Sequence, residues 1–287
     1  MITARNRDAR LAWALLAPAL LLLAAVAVGP LAATVWESLH HHDLRMPWLG
    51  RPFIGLDNYR AATTDTRLHE AVLHTVVFAA FSVSLELVLG MALAVALDAL
   101  ARGRAMARVI VLLPWALPTV VAALVWRFMF DSQGIAGTVY EDWLSRPYAA
   151  WVPVILGDVW KSTPFVALLL LAGLQGIDES LYEAARMDGA SGWRRFTHIT
   201  LPLLRPALAV ALVFRTLDAF RVFDLVYVLT GGGPGTATEV IALYAFTTLL
   251  QDLRFGYGSA LSVITFGLTF LLALAYLRML STREAQA

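Results

Sequence analysis

Cysteine is absent from the 287 residues, which excludes disulfides, thiolate metal centres and thiol nucleophiles. Lysine is almost absent: Lys161 is the only one. A phosphate-binding loop needs the pattern G-x-x-x-x-G-K-[ST], and Lys161 follows Trp160 inside an apolar run, so this polypeptide is not expected to bind a nucleotide. Charge of any sign is scarce, at 15%. Long polar stretches are lacking too, and loops of roughly 30 residues are too short to bury an independent core. That leaves no room for a separate soluble catalytic domain.

Apolar sequence is abundant. Hydrophobic residues make up 59% of the chain, with a mean hydropathy of +0.69, well above a soluble balance. A bilayer core about 30 Å thick takes roughly 20 apolar helical residues to cross, and six stretches of that length occur, at Leu11–Trp36, Ala71–Leu97, Arg108–Phe130, Ala150–Leu174, Ala207–Thr230 and Gly258–Leu277. The expectation is an all-α integral membrane protein with six transmembrane helices. Arg5, Arg7 and Arg10 before the first run also suit a signal peptide. The run is about twice the 7 to 15 residues of a cleavable segment, which favours a retained helix.

Cytoplasmic loops keep an excess of positive charge. The N-terminus (1–10), the loop with Arg102, Arg104 and Arg108, the loop 176–206 and the tail 278–287 with Arg278 and Arg283 fall on one side, expected to be the cytoplasm. The opposite segments 37–70, 131–149 and 231–257 are net acidic and expected outside. His40, His41 and His42 lie there, and with no second ligand cluster nearby they read as a solvated loop rather than a metal site.

The charged interruption Glu183–Pro206, "EAARMDGASGWRRFTHITLPLLRP", faces the cytoplasm in this scheme. Asp178 is placed to cap a helix that stops at Gly189, and Ser191 to cap a second one with Trp193, Phe196, Ile199 and Leu203 on its apolar face. An amphipathic hairpin on lipid headgroups would satisfy that pattern, but it would not require the particular residues Glu183, Ala184, Ala185, Asp188, Gly189, Ala190, Ile199, Leu201 and Pro202. These match the E-A-A, D-G-A and I-x-L-P elements of the membrane subunits of type I ATP-binding-cassette importers, which the chain resembles over nearly its whole length. "FIGLDNY" (53–59), "LPWALPTVVAALVWRFMF" (113–130), "VWKSTPF" (159–165) and "YVLTGGGP" (227–234) look like the carbohydrate-importing branch, most like the permease that pairs with a second, homologous permease in maltose- and trehalose-type systems.

The resemblance implies the type I permease fold, in a bacterial plasma membrane with both termini cytoplasmic. It implies a coupling helix, with Glu183, Ala184, Ala185, Arg186, Asp188, Gly189 and Ala190 meeting an ATPase. The implied partners are a second permease, two ATPase subunits, an external solute-binding lipoprotein, a sugar and the bilayer, without nucleic acid. The chain itself would need no cofactor and catalyse nothing, since ATP and magnesium belong to the ATPase. The resemblance also places a sugar pocket at Trp115, Thr119, Ser162 and Phe165. Lys161, Arg215 and Asp218 are further candidates, and Arg215, Asp218, Arg221 and Asp224 recur every three residues so that opposite charges face one another.

Trp115 and Phe165 also suit ordinary helix packing, and the charge ladder also suits self-pairing or contact with the partner permease. Where maltodextrin-binding relatives carry amides, Ala219 and Val222 stand here. "TGGGPGTATEV" (230–240) reads as a flexible outer loop meeting the solute-binding protein, and "IALYAFTTLLQ" (241–251) as a short outer helix. A rival class is a proton-coupled secondary transporter using Asp218 and Asp224; a channel or purely structural subunit is the third.

Overall fold

The computed structural model describes the backbone of residues 2–100 and 103–284, with the side chains of 13–100, 103 and 105–279. The side chains of Arg5, Arg7, Arg10, Arg104 and Arg283, and all of Arg102, on which the orientation draws, lie outside the described residues.

Helices follow in the order α1 (Ile2–Leu23), α2 (Gly29–Ser38), α3 (Asp57–Thr63), α4 (Thr66–Asp98), α5 (Arg104–Ala116), α6 (Thr119–Phe130), α7 (Trp151–Leu174), α8 (Glu179–Met187), α9 (Gly192–Arg195), α10 (Leu201–Leu203), α11 (Arg205–Phe220), α12 (Asp224–Leu229), α13 (Ile241–Phe246) and α14 (Phe255–Glu284). Wider π-helical turns join α1 to α2, join α9 to α10, and extend α13 to Gln251. Among the described residues the only β-pairing is an isolated bridge between His40 and Phe53. The all-α expectation holds.

Among the described residues four helical stretches are long and apolar enough to cross a membrane: Trp13–Ser38, Thr66–Asp98, Trp151–Leu174 and Phe255–Met279. Two bent pairs, Ala105–Ala116 with Thr119–Phe130 and Gly192–Leu203 with Arg205–Phe220, bring the number to six if each is one span. The third expected span is therefore not a continuous rod, because it turns by 84°. Pro118 disfavours helical backbone at the residue before it, and Leu117 is accordingly extended (φ −70°, ψ 139°). The fifth expected span, Ala207–Thr230, is also interrupted. Helix α11 stops at Phe220 and α12 starts at Asp224, with the break falling where Arg221 turns its guanidinium back onto Asp218.

The chain divides into two compact units, one holding the residues up to Asp65 with Ala245–Gly267, the other Thr66–Tyr244 with the chain from Leu268 onward. In the first, Asn58 Nδ2 donates to the Ser38 and His40 carbonyls at 2.7 and 3.0 Å, and Tyr257 donates to Asp65 at 2.5 Å. Asp43 takes three hydrogen bonds from Arg45, which hold its carboxyl down at a pKa of about 2.

In the second unit, α4 lies directly on α7. Gly90 permits this, since a Cβ there would meet Val166 Cγ1 at 2.6 Å. Small residues at helix contacts let backbones approach where lipid supplies no hydrophobic drive. Met91, Ala94 and Leu97 of α4 pack with Val166, Leu170, Leu171 and Leu174 of α7 and with Leu204 and Ala211 beside them. The result fixes α4, α7 and α11 around one core, and the functional candidates hang from that scaffold.

Candidate functional site

The loop 176–206 is built by its capping residues. Asp178 sits in extended backbone and accepts the Ser180 N–H at 2.9 Å, starting α8, and that bond holds its carboxyl below the ordinary carboxylate range. At the other end Gly189 takes φ +74°. Its N–H donates to the Arg186 carbonyl at 3.0 Å and the Ala190 N–H to the Ala185 carbonyl at 2.9 Å, which is the paired closure of a Schellman motif. Nothing lies within 4 Å of where a Gly189 side chain would begin.

Ser191 then accepts the Arg194 N–H at 3.3 Å to start the second arm, and a Tyr182–Thr200 hydroxyl contact of 2.9 Å ties the arms together. Arg186 pairs with Glu179 at 3.1 Å. Glu183, Ala184, Asp188 and Gly189 are exposed, Ala185 and Ala190 half-buried. The sequence reading of a helix, a tight turn and a second helix therefore describes the observed geometry.

A second cluster forms at the break in the third span. The last carbonyls of a helix have no partner inside it, and here Lys161 supplies one. Its ammonium donates from α7 to the Leu117 carbonyl at 2.7 Å and to the Trp115 carbonyl at 3.3 Å. One turn further along α7, Phe165 stacks on the Trp115 ring, with centroids 6.0 Å apart and planes at 18°. Trp115 remains half exposed.

Trp115, Lys161 and Phe165 are thus brought together. Thr119 opens α6 on the far side of the 84° bend, so it does not stand over Trp115 as it would on a straight helix. Ser162 is buried in α7, about 100° around the axis from Lys161.

Arg215 lies deeper, only 4% exposed. It donates to both oxygens of Glu86 on α4 at 2.5 and 2.7 Å, to Asp158 on α7 at 3.3 Å and to Asp218 at 2.5 Å. Asp218 in turn receives Arg221 at 2.9 Å, so the expected three-residue ladder forms this far. Asp224 lies beyond the break, in the first turn of α12. Glu86 and Asp158 escaped the sequence reading. The signal available was their isolation, because a lone carboxylate inside an apolar span is costly and needs a partner.

On the side expected to be external, residues 230–240 differ from the flexible loop anticipated. Thr238, Glu239 and Val240 are buried. Thr238 donates to the Gly233 carbonyl at 2.8 Å, Glu239 takes two bonds of 2.7 Å from Arg67, and the Ile241 N–H donates to Thr75 Oγ1 at 3.0 Å. Positive φ values at Gly231 (65°), Gly232 (88°) and Gly235 (62°) let this backbone fold on itself. Residues 241–251 form the anticipated short helix.

The histidine run is half-buried rather than solvated. His40 packs on Trp36 and Phe53, while His42 pairs with Glu37 and stacks on Phe255. Among the described residues no group of three or more His, Cys, Asp or Glu is arranged to hold a metal ion.

Residues 86–284 match the family model described as "Binding-protein-dependent transport system inner membrane component". Among curated proteins, the trehalose/maltose transport system permease protein MalF of Thermococcus litoralis is 44% identical over 96% of this chain and 95% of its own length. The trehalose transport system permease protein SugA of Mycobacterium tuberculosis is 40% identical over 96% and 90%. The sulfoquinovosyl glycerol transport system permease protein SmoG of Agrobacterium fabrum is 39% identical over 96% and 92%. Among solved structures, a bacterial ABC transporter involved in import of the acidic polysaccharide alginate matches with a TM-score of 0.82 at 22% identity, over 97% of each chain, a likeness of fold.

Proposed function

The chain belongs to the inner membrane components of binding-protein-dependent transport systems, and from that premise we propose that it is one of two permease subunits of an ATP-driven importer for a disaccharide such as trehalose, or a related carbohydrate. Relatives named for trehalose and maltose transport, at 44% and 40% identity over almost the full chain, support a sugar of that class. The chain carries out no chemistry of its own. ATP and magnesium are handled by two separate ATPase subunits, and an external solute-binding lipoprotein delivers the sugar from the side opposite the 176–206 loop, with both termini cytoplasmic in a bacterial plasma membrane.

The observation that carries the coupling role is the exposed helix α8, capped by Asp178 and stopped by left-handed Gly189. Its Glu183, Ala184, Ala185 and Arg186, with Asp188 just after it, offer a short, small-surfaced knob on which the exposed Glu183 carboxylate suits a basic partner, and Gly189 and Ala190 keep the turn narrow. Closure of the ATPases on ATP would press this knob and its counterpart together, and the packed spans would carry the motion outward.

The sugar is assigned to the break in the third span. Trp115 and Phe165 present aromatic faces of the kind that stack on sugar rings, Thr119 and Ser162 supply hydroxyl partners, and Lys161, Arg215 and Asp218 form the polar surround. Three carboxylates (Glu86, Asp158, Asp218) stand among the three cations (Lys161, Arg215, Arg221), a balance that suits an uncharged ligand.

The deciding experiment reconstitutes the chain with its partner permease, ATPase and solute-binding protein in proteoliposomes and measures labelled trehalose uptake with and without internal ATP. ATP-dependent uptake is expected. Uptake by this chain alone, driven by a proton gradient, would instead make it a secondary transporter.

A further inference from the structure

Lys161 is the single lysine of the chain and projects from an apolar helix, a position where an ammonium is costly unless it is paired. Its hydrogen bonds go to the backbone carbonyls of Leu117 (2.7 Å) and Trp115 (3.3 Å). These two carbonyls flank the corner where α5 gives way to α6 through an 84° bend. Non-helical backbone at membrane depth is tolerated only where its polar groups find partners. Lys161 is that partner, and two of the three N–H groups of its ammonium are committed to the task.

The same face of α7 carries two neighbours of Lys161 that matter. Phe165, one turn along, stacks on Trp115, so α7 grips this residue twice, by its backbone oxygen and by its ring. Asp158, almost one turn the other way, receives Arg215 from α11. Two adjacent charged residues of α7 thereby hold two separate interrupted spans.

We propose that Lys161 is a positioning residue rather than a sugar contact: it holds the bend that Pro118 introduces in the third span and so presents the Trp115 ring to the translocation path. Its purpose rests on the assignment of Trp115 as the sugar platform. Replacing Lys161 by methionine keeps length and apolar bulk but leaves both carbonyls without their donor. Arginine keeps the cation and the N–H groups.

The test uses the assembled transporter, with spin labels on a Met106→Cys, Phe128→Cys background. Both sites are largely exposed, lie at opposite ends of the bent span and face no competing native thiol. Lys161→Met is expected to broaden the label-to-label distance distribution and to cut uptake by about tenfold, the scale of losing a hydrogen bond to a charged donor. Binding-protein-stimulated ATP hydrolysis is expected to persist, and Lys161→Arg to restore both the narrow distribution and most of the uptake.

Lost uptake with an unchanged distance distribution would overturn the proposal and make Lys161 a direct sugar ligand. Unchanged uptake with an unchanged distribution would overturn it outright. A broadened distribution with full uptake would uphold the tether while refuting Trp115 as the platform, so the two readings fail separately. Should Lys161→Met not assemble, Lys161→Ala, which removes the donor without adding apolar bulk, is measured in the same background: a broadened distribution supports the proposal and a narrow one overturns it.

Discussion

Arg215 and Glu86 meet in a two-pronged ion pair, Nε to Oε2 at 2.5 Å and Nη2 to Oε1 at 2.7 Å, with Glu86 wholly enclosed. They are 129 residues apart in sequence and lock α11 to α4. Removing one member of such a pair strands a buried charge, a loss of about 3–5 kcal/mol. Glu86→Ala and Arg215→Ala are each expected to lower the detergent melting temperature sharply, while Glu86→Leu combined with Arg215→Met recovers much of the loss. A double variant as unstable as the two single losses added together would show that the pair is not acting as a unit.

Gly90 is expected to tolerate nothing larger. A Cβ there would lie 2.6 Å from Val166 Cγ1 and 2.9 Å from Val166 Cβ, and overpacking of this kind costs about 1–3 kcal/mol. Gly90→Ala should destabilise the protein, and Val166→Ala in the same chain should relieve much of the clash. Thermal unfolding of the two variants checks this; an unaffected Gly90→Ala would mean that α4 and α7 separate readily.

At Gly189 space is open and only the backbone objects. A residue with a branched side chain pays roughly 1–2 kcal/mol for left-handed backbone, whereas asparagine is tolerated at such a stop. Gly189→Asn is expected to keep normal stability, and Gly189→Val to loosen the end of α8, with weaker ATPase co-purification and reduced uptake. Glu183→Ala should leave stability alone, the side chain being exposed, yet weaken ATPase docking. Full transport by both Gly189→Val and Glu183→Ala would remove the coupling role from this loop.

Trp115→Ala should cripple uptake and Thr119→Ala only dent it. An aromatic platform buries far more sugar surface than one hydroxyl contact, and a lost neutral hydrogen bond is typically worth about 0.5–1.5 kcal/mol. Binding-protein-stimulated ATP hydrolysis in the reconstituted complex should survive both changes, since neither residue lies in the 176–206 loop. Loss of assembly and hydrolysis together in Trp115→Ala would assign the ring to packing against Phe165.

Orientation is open to a direct measurement because no native thiol interferes. Single cysteines placed as Thr64→Cys and Ser191→Cys are expected to differ in intact cells exposed to an impermeant thiol reagent, with Thr64→Cys labelled and Ser191→Cys protected. The reverse pattern would invert the topology.

The sequence announced its spans through apolar length and the hairpin of its 176–206 loop through Asp178, Gly189 and Ser191, because caps and left-handed stops are local and carry their reasons in the residue itself. Pro118 marked the corner of the third span for the same reason. The break after Phe220 had no such mark: neither proline nor glycine occurs between Phe220 and Asp224, and the interruption coincides with a guanidinium turning back on Asp218. Glu86 and Asp158 were visible as isolated carboxylates, but only the approach of three helices showed that Arg215 answers both. Lys161 illustrates the same boundary, since nothing within α7 says that its partner is the main chain of another span. Residues 230–240 looked loose because glycine permits disorder, and only Arg67 and Thr75, far upstream, reveal why these glycines permit a tight fold instead.

That folded segment has a mechanical meaning. Arg67 grips Glu239, and Thr75 holds the Ile241 amide, both from the first turns of α4, while Trp151 Nε1 at the start of α7 binds the Ala237 carbonyl at 2.9 Å. The strip 237–241 is thus laced to the same ends of two long helices, much as a strap joins two tent poles at their tips. Pulling the poles apart at that end would break the Trp151–Ala237 bond, while both Arg67–Glu239 bonds would travel with α4. The strip is thus fastened more firmly to α4 than to α7, and any separation of the two helices at that end would begin at Trp151.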